Sequence, residues 1–103
     1  MSGAGCNRLL IAGQLVELDA LRYTPAGMAR IEMKIRHASV QIEAGAERQV
    51  QCEISALALG EAAQQAARLQ TGQQVKAKGF LAQRSLRNTQ LVLHIEQIIL
   101  EQD

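Results

Sequence analysis

The sequence predicts a small all-β domain that contains one short helix. Apolar residues alternate with charged ones from Ile31 to Arg36, which is the period of a half-buried strand, and the run continues through Val40 and Ile42. A second alternating run contains Val50, Cys52 and Ile54. Residues 43–47 separate the two runs and contain the Ala-Gly pair of a turn. An alanine-rich segment after the second run is the one stretch with a helical pattern. The chain has 103 residues, enough for one compact domain.

The first predicted strand runs from Asn7 to Leu18 and is apolar on both sides. Such a strand is expected to face the core on one side and a partner or a second subunit on the other. Gly13, in the middle of this strand, predicts a bulge or a sharp bend. Residues 21–27 follow as a loop around Pro25.

The long ribbon of residues 29–54 is the centre of the predicted sheet. Its basic side chains, among them Arg30, Lys34 and Arg36, lie on the side opposite to the apolar ones. After Ile54 the sequence becomes rich in alanine, a strong helix former. Five residues from there on share one helical face: Leu59, Ala62, Ala63, Ala66 and Leu69. Gly72 is a helix stop or a turn residue.

Two further strands complete the domain, Gln74 to Ala82 and Leu91 to Leu100, with a loop at residues 83–90. Five strands with one helix between the third and the fourth are typical of an OB-fold, a five-stranded Greek-key barrel. An OB-fold binds its ligand with strands two and three and with two flanking loops. In this chain those regions are residues 21–27, 29–54 and 83–90.

The boundaries and the compartment follow from composition. We expect a flexible N-terminal tail at residues 1–6, an OB-fold domain at 7–100 and a short C-terminal tail at 101–103. No apolar run is long enough to cross a bilayer, and the N-terminus lacks a signal-peptide core, so we expect a cytoplasmic protein. Cys6 and Cys52 are then free thiols. No metal or cofactor motif and no catalytic motif is visible, so no cofactor and no enzymatic activity are expected.

Charge is unevenly distributed along a chain whose net charge is only +1. Residues 62–95 contain five cations and no acid, and residues 22–36 contain four cations and one acid. Segregation of this kind can give a neutral protein a basic face, which suits a phosphate backbone. Ordinary solvated surface explains the charge pattern equally well, and the pattern alone leaves both interpretations open.

An ordered series of short motifs then resembles a known family. The series is Asn7-Arg8-Leu9, Thr24-Pro25-Ala26-Gly27, His37-Ala38-Ser39-Val40-Gln41, Glu43-Ala44-Gly45, Arg48-Gln49, Gly79-Phe80 and Leu93-His94-Ile95-Glu96-Gln97-Ile98. It is similar to the PriB family, the primosomal replication proteins N of bacteria, over nearly the whole chain. More distantly, it resembles the single-stranded DNA-binding proteins.

The resemblance implies a homodimeric OB-fold whose first strands meet across a two-fold axis. It also implies binding of single-stranded DNA and of the PriA helicase at stalled replication forks, followed by recruitment of DnaT. The chain departs from the family where Ala46 and Gln51 stand at positions of base-stacking aromatics, while Arg48 matches a basic position. Tyr23 stands at a lysine position and could stack on a base.

The candidate DNA contacts are Arg22, Tyr23, Lys34, Arg48, Arg84 and Arg87. Cations neutralise phosphates, and arginine can also lie against a base. The alternative for the cations is solvated surface charge, and for Tyr23 it is packing on the barrel rim. His37, His94 and Phe80 are interpreted as structural.

Two other functions remain open at this stage. The missing aromatics and the near-neutral charge also fit an OB-fold adaptor that binds proteins and has little affinity for DNA. A general coating protein for single strands is the third alternative, and the scarcity of aromatics argues against it.

Overall fold

A computed structural model describes residues 5–101, which form a closed barrel of strands with one short helix. The elements are β1 (Leu9–Leu18), β2 (Arg22–Tyr23), β3 (Ala29–Glu43), β4 (Ala46–Leu59), α1 (Glu61–Ala66), β5 (Gln74–Gln83) and β6 (Leu91–Leu100). The strand order is β1-β5-β6-β4-β3-β2, and β1 also pairs with β3, which closes the barrel. The predicted OB-fold is confirmed. Arg22 and Tyr23, which the sequence predicts to lie in a loop, instead form the two-residue strand β2, because they pair with Arg30 and Ala29 of β3.

Barrel closure takes place along β1. Its first half, Leu9 to Gln14, pairs with β5, and its second half, Gln14 to Leu18, pairs with β3. The strand therefore changes partner beside Gly13, where a side chain would collide with the backbone carbonyl of Arg36. The bulge predicted at Gly13 lies instead between Leu15 and Glu17. The glycine is needed for close approach of two backbones.

The core is built from the inward residues of every long strand together with α1. Its fully buried large side chains are Leu15, Ile31, Ile35, Leu93 and Val75. Alternation works as predicted in β3, where Ile31, Met33 and Ile35 are buried. No polar or charged residue is buried within residues 5–101. The charged side chains of β3 therefore lie on the outside of the barrel.

The boundary between β4 and α1 differs from the prediction. β4 continues to Leu59, although the sequence after Ile54 suggested a helix. Ala56 and Ala58 are buried because they pair with Met33 and Ile31 of β3. β6 covers the other edge of β4 there, so pairing on both edges outweighs the helical propensity of alanine.

The helix is correspondingly shorter than predicted. It spans Glu61–Ala66 and buries Ala62, Ala63 and Ala66, while Leu69 packs against the core from the turn that follows. Gly60, with φ of 64°, turns the chain from β4 into the helix. Gly72, with φ of 99°, lies in the turn before β5. This left-handed backbone favours glycine over residues with a side chain.

The last two strands keep their predicted positions, with one local difference. Val75, Ala77 and Gly79 alternate with Lys76, Lys78 and Phe80 along β5 in the sequence, and they face inward. In β6 the inward set is Val92, Leu93, Ile95 and Ile98, whereas Leu91 is exposed. The ladder steps from Gly79–Ile95 to Lys78–Gln97, so Glu96 forms a bulge that changes the phase between the inward residues Ile95 and Ile98.

The β3–β4 hairpin extends beyond the barrel. Its ladder runs without interruption from Arg30–Leu59 to Glu43–Ala46. Within residues 5–101, β1 pairs with β3 only up to Arg36, and β6 pairs with β4 only from Ser55. We call residues 37–53 the arm; apart from Glu53, which pairs with Arg36, its paired residues pair only with each other. The arm turns at Ala44 and Gly45, whose φ angles of 53° and 81° are those of a tight type I′ hairpin turn.

The predicted tails lie largely outside the described residues. The predicted flexible tails include residues 1–4 and 102–103, which lie outside the residues that the structure describes. Cys6 and Cys52 are both exposed and both free of disulfides, as the sequence predicted.

Candidate nucleic-acid interface

The outside of the barrel along β3 is a band of charged side chains, which we call the outer face. Strand alternation places Arg30, Glu32, Lys34 and Arg36 on this side, because the residues between them face the core. Arg22 of β2 lies directly opposite Arg30 in the ladder and therefore shares the face. The loop of residues 84–90 reaches the same face through Arg84.

Glu32 holds two arginines together at the centre of the outer face. Its carboxylate lies 3.0 Å from Arg30 and 3.1 Å from Arg84 Nη1. Arg84 Nε also donates a hydrogen bond of 3.1 Å to the side chain of Gln90, which fixes Arg84 at the base of its loop. The hydrogen bond from Arg84 is the main cause that lowers the pKa of Glu32; partial burial opposes it and the charge of Arg30 adds to it.

Further carboxylates compensate the remaining cations along β3. Lys34 lies 3.5 Å from Glu17, and Arg36 lies 2.7 Å from Glu53. Asp19 lies near Arg22 and Arg30, because all three residues line one cleft of about 160 Å³. The outer face thus has five cations, Arg22, Arg30, Lys34, Arg36 and Arg84, and four carboxylates, Glu17, Asp19, Glu32 and Glu53. Its cations are closely set but almost fully balanced.

Two candidate cations make no direct ion pair, although Asp19 lines the same cleft as Arg22. Arg22 and Arg87 make no ion pair with any residue in the range 5–101. Both are exposed, Arg22 on β2 and Arg87 in the loop between β5 and β6. These are the two loop regions with which an OB-fold flanks its binding face. They are the candidates that need to break no ion pair before contacting a phosphate.

Arg48 is not brought together with the other candidates. It pairs with Gln41 in the ladder, and alternation places both on the side of the arm that continues the core-facing side of β3. Arg48 Nε lies 3.2 Å from Glu43. Arg22, Lys34 and Arg84 therefore lie on the outer face, while Arg48 lies on the opposite side of the arm. Arg87 lies in the same loop as Arg84, and Tyr23, which pairs with the buried Ala29, points to the other side of β2.

The two aromatic side chains of the chain differ in their surroundings. Tyr23 is 63% exposed at the end of β2, next to Arg22, and is available for stacking. Phe80 stacks on His94 across β5 and β6, with ring centroids 5.0 Å apart and planes within 7°. That pairing fits the structural interpretation of Phe80 and His94.

His37 connects the arm to the barrel. Its Nδ1 lies 2.6 Å from the carbonyl oxygen of Ala12, so Nδ1 donates a hydrogen bond to β1. Its Nε2 lies 2.8 Å from Ser39 Oγ, and Ser39 Oγ accepts a hydrogen bond from the side-chain amide of Gln41. These contacts fit the structural interpretation of His37, because they attach the base of the arm to β1, the strand that closes the barrel.

Sequence reasoning missed the acidic half of the outer face. Arg30 and Glu32 were visible as outward residues of β3, yet the pairing of Glu32 with Arg84 joins positions 52 residues apart. Glu17 and Asp19 carry no sequence signal that places them beside β3.

Within residues 5–101 no group of three or more His, Cys, Asp or Glu side chains could hold a metal ion. No helix among the described residues is both long and apolar enough for a membrane span.

Comparison with known proteins places this geometry in a family. A model described as another single-strand binding protein family matches residues 7–97. The chain is 39% identical to the replication restart protein PriB of Nitrosomonas europaea over 89 residues, which cover 86% of this chain and 82% of that protein. It is 36% identical to the PriB protein of Bordetella pertussis over 91 residues, covering 88% and 85% of the two chains.

Solved structures agree with the sequence relatives. The PriB protein of Ralstonia solanacearum superposes with a TM-score of 0.85 at 34% identity, covering 95% of this chain and all of the other. The single-stranded DNA binding protein of Thermus aquaticus superposes with a TM-score of 0.76 over 95% of this chain and 51% of the other; at 24% identity it supports the fold alone. From its sequence relatives and its barrel, this chain belongs to the PriB family of replication restart proteins, which shares the fold of single-stranded DNA-binding proteins.

Proposed function

We propose that this protein is a cytoplasmic accessory protein of the replication-restart primosome that binds single-stranded DNA on the outer face of its barrel. The observation that carries the proposal is the position of Arg22 and Arg84 beside β3, with Arg87 in the same loop as Arg84, in a member of the PriB family. The protein also contacts the PriA helicase and helps to recruit DnaT, so that it bridges the strand and the restart machinery. It works as a homodimer, and the 65% exposure of Leu10 on β1 supports a contact through the first strands.

In this mechanism the phosphates of DNA replace carboxylates as the ion partners of some of the cations. Arg22 and Arg87 meet phosphates directly. Lys34 and Arg84 must leave Glu17 and Glu32 first, and such exposed ion pairs contribute only about 0.2–1 kcal/mol each, so phosphates can replace them. Tyr23 supplies one stacking surface, which is worth roughly 1–3 kcal/mol. The expected affinity is modest and mainly electrostatic.

The test is fluorescence anisotropy of a labelled dT oligonucleotide, titrated with the protein at several salt concentrations. If Arg22 and Arg87 neutralise two phosphates, the logarithm of affinity falls with the logarithm of salt with a slope of about −1.4 per protomer. The Arg22→Ala and Arg87→Ala variants each lower the affinity and flatten this slope. Arg68→Ala, an exposed arginine after α1, is the matched control. A wild type that binds no DNA at low salt and leaves PriA unwinding unchanged would refute the proposal.

The second candidate function is an adaptor that works through protein contacts and binds DNA weakly. A specific observation favours it: Lys34, Arg48 and Arg84 are each compensated by a carboxylate. The same titration separates the two functions. An adaptor binds the helicase with the same affinity whether or not single-stranded DNA is present, and its own DNA affinity stays undetectable at physiological salt.

A further inference from the structure

The arm has a side that continues the outer face and carries a different chemistry. Alternation along β3 places Ala38, Val40 and Ile42 on this side, in line with Arg36. The ladder sets Gln51, Gln49 and Glu47 of β4 directly opposite them. We call these six residues the arm surface. It replaces the closely set cations of the barrel with aliphatic side chains, amides and a carboxylate.

The two aliphatic side chains at its centre are highly exposed. Val40 is 58% exposed and Ile42 is 69% exposed, although both are β-branched residues two positions apart on one side of a strand. Neighbours at this spacing form a continuous apolar strip about 7 Å long. The strip has no cover within residues 5–101, because the arm pairs only with itself.

The charges around the strip exclude two occupants. Residues 37–53 contain three carboxylates and one arginine. Arg48 is paired with Glu43, and Glu53 is paired with Arg36. Glu47 is left without an ion partner among residues 5–101, directly opposite Ile42. A phosphate backbone would be repelled there, and a second copy packed on the same surface with its two-fold axis near Glu47 would bring two Glu47 carboxylates together.

Apolar side chains beside an uncompensated carboxylate select a partner with the complementary pattern. We propose that the arm surface docks a segment of a partner protein that carries apolar side chains next to a lysine or an arginine. The apolar groups cover Val40 and Ile42, and the cation meets Glu47. This inference rests on the proposed function and divides its work between two places: the barrel holds nucleic acid, and the arm holds protein.

The experiment compares two binding reactions in the same set of variants. The probe for protein binding is purified PriA helicase of the same organism, immobilised for biolayer interferometry. The probe for DNA binding is the dT oligonucleotide in the anisotropy assay. The variants are the double change Val40→Ser with Ile42→Ser, and Glu47→Lys. Ile99→Ser, which alters another exposed aliphatic residue on β6, is the control.

The double variant is expected to bind the helicase at least about tenfold more weakly, because two hydroxyl groups replace the apolar centre of the proposed contact and must lose their water on binding. Glu47→Lys is expected to weaken helicase binding by about three- to tenfold, with a loss of its salt dependence. DNA affinity of the double variant stays within about twofold of wild type, since no phosphate contact is removed. Thermal unfolding of each variant verifies that it is folded.

Three results would overturn the inference, and each has a different consequence for the proposed function. Unchanged helicase binding by the double variant and Glu47→Lys overturns it and leaves the proposed function intact. A parallel loss of DNA binding in the double variant shows that the arm surface binds nucleic acid. A wild type that binds neither the helicase nor the oligonucleotide removes the proposed function and the inference together.

Discussion

At the scale of single residues, Glu32 sets how basic the outer face is. It contacts Arg30 and Arg84 at once and is ionised at neutral pH; the hydrogen bond from Arg84 is the main cause that lowers its pKa. A carboxylate at this position holds both guanidinium groups in place and at the same time cancels part of their charge. Glu32 therefore orders the candidate site and limits its affinity for phosphate.

The Glu32→Gln change is expected to raise the affinity for a dT oligonucleotide several-fold. The amide removes the negative charge that competes with phosphate for Arg30 and Arg84, and the gain shrinks as salt increases. Anisotropy titrations at low and high salt measure it. Glu61→Gln is the control, because Glu61 lies at the start of α1 and makes no ion pair within residues 5–101. An affinity that falls in Glu32→Gln would show that ordering the arginines matters more than their charge.

The same carboxyl predicts a pH dependence of stability. The folded pKa of Glu32 lies below the usual 4.5, so above pH 4.5 the group is ionised in both states and its ion pairs contribute in full. Below that pH the unfolded chain takes up the proton first, and the contribution is lost as the pH falls through the lowered folded pKa. Urea unfolding at a series of pH values should show the stability difference between wild type and Glu32→Gln shrinking in acid. A difference that is independent of pH would contradict the assignment.

At the scale of elements, the arm is the least supported part of the fold. Its two strands have only each other as partners in the described chain, and its side chains are mostly exposed. Local opening of such a ribbon costs less free energy than global unfolding. The hydrogen bonds of His37 to Ala12 and Ser39 hold only the base of the arm. The type I′ turn at the tip must hold the other end.

Ala44→Asn is expected to slow hydrogen exchange in the arm. Ala44 has a positive φ of 53°, which is unfavourable for alanine and better tolerated by asparagine, the preferred residue at this turn position. Relief of about 0.5–1 kcal/mol corresponds to exchange about two- to fivefold slower. Amide exchange by NMR measures the arm residues, with the amides of β5 as the internal control. Equal or faster exchange in the arm would show that the turn does not limit its opening.

At the scale of the whole molecule, the barrel depends on one close contact between β1 and β3. β1 leaves β5 and joins β3 next to Gly13, and a Cβ there would meet the Arg36 carbonyl carbon at 2.9 Å and Ile35 Cγ2 at 2.9 Å. The backbone carbonyl cannot move without disturbing the strand pairing. Closure of the barrel also positions the outer face, because Glu17 and Lys34 meet across the same pair of strands.

Gly13→Ala is expected to destabilise the protein by about 2–3 kcal/mol, at the upper end of the range for overpacking. The clash is with the backbone, so a change of side-chain rotamer cannot relieve it. Chemical denaturation measures the loss of stability. Gly5→Ala is the matched control, since a Cβ at Gly5 meets nothing within 4 Å. Equal stability of the two variants would mean that β1 and β3 can separate there without loss.

Local pattern was enough to predict most of the architecture and only part of the candidate site. Alternation in β3 and β5 gave the correct buried residues, because period-two burial is written in consecutive positions. It failed at Ala56 and Ala58, where pairing with β3 outweighs alanine propensity. The ion pair of Arg84 with Glu32 and the proximity of Asp19 to Arg22 depend on strands and loops distant in sequence. No local pattern reports such neighbours, so the near-neutral balance of the outer face could only be found in the fold.

The most direct test of the account follows backbone amide shifts by NMR as the dT oligonucleotide is added at low salt. We predict that the shifts cluster at Arg22, at residues 30–36 and at residues 84–87, and that the arm surface and the β5–β6 sheet remain unaffected. Shifts concentrated on the arm, or no shifts at saturating oligonucleotide, would contradict the assignment of the outer face as the nucleic-acid interface.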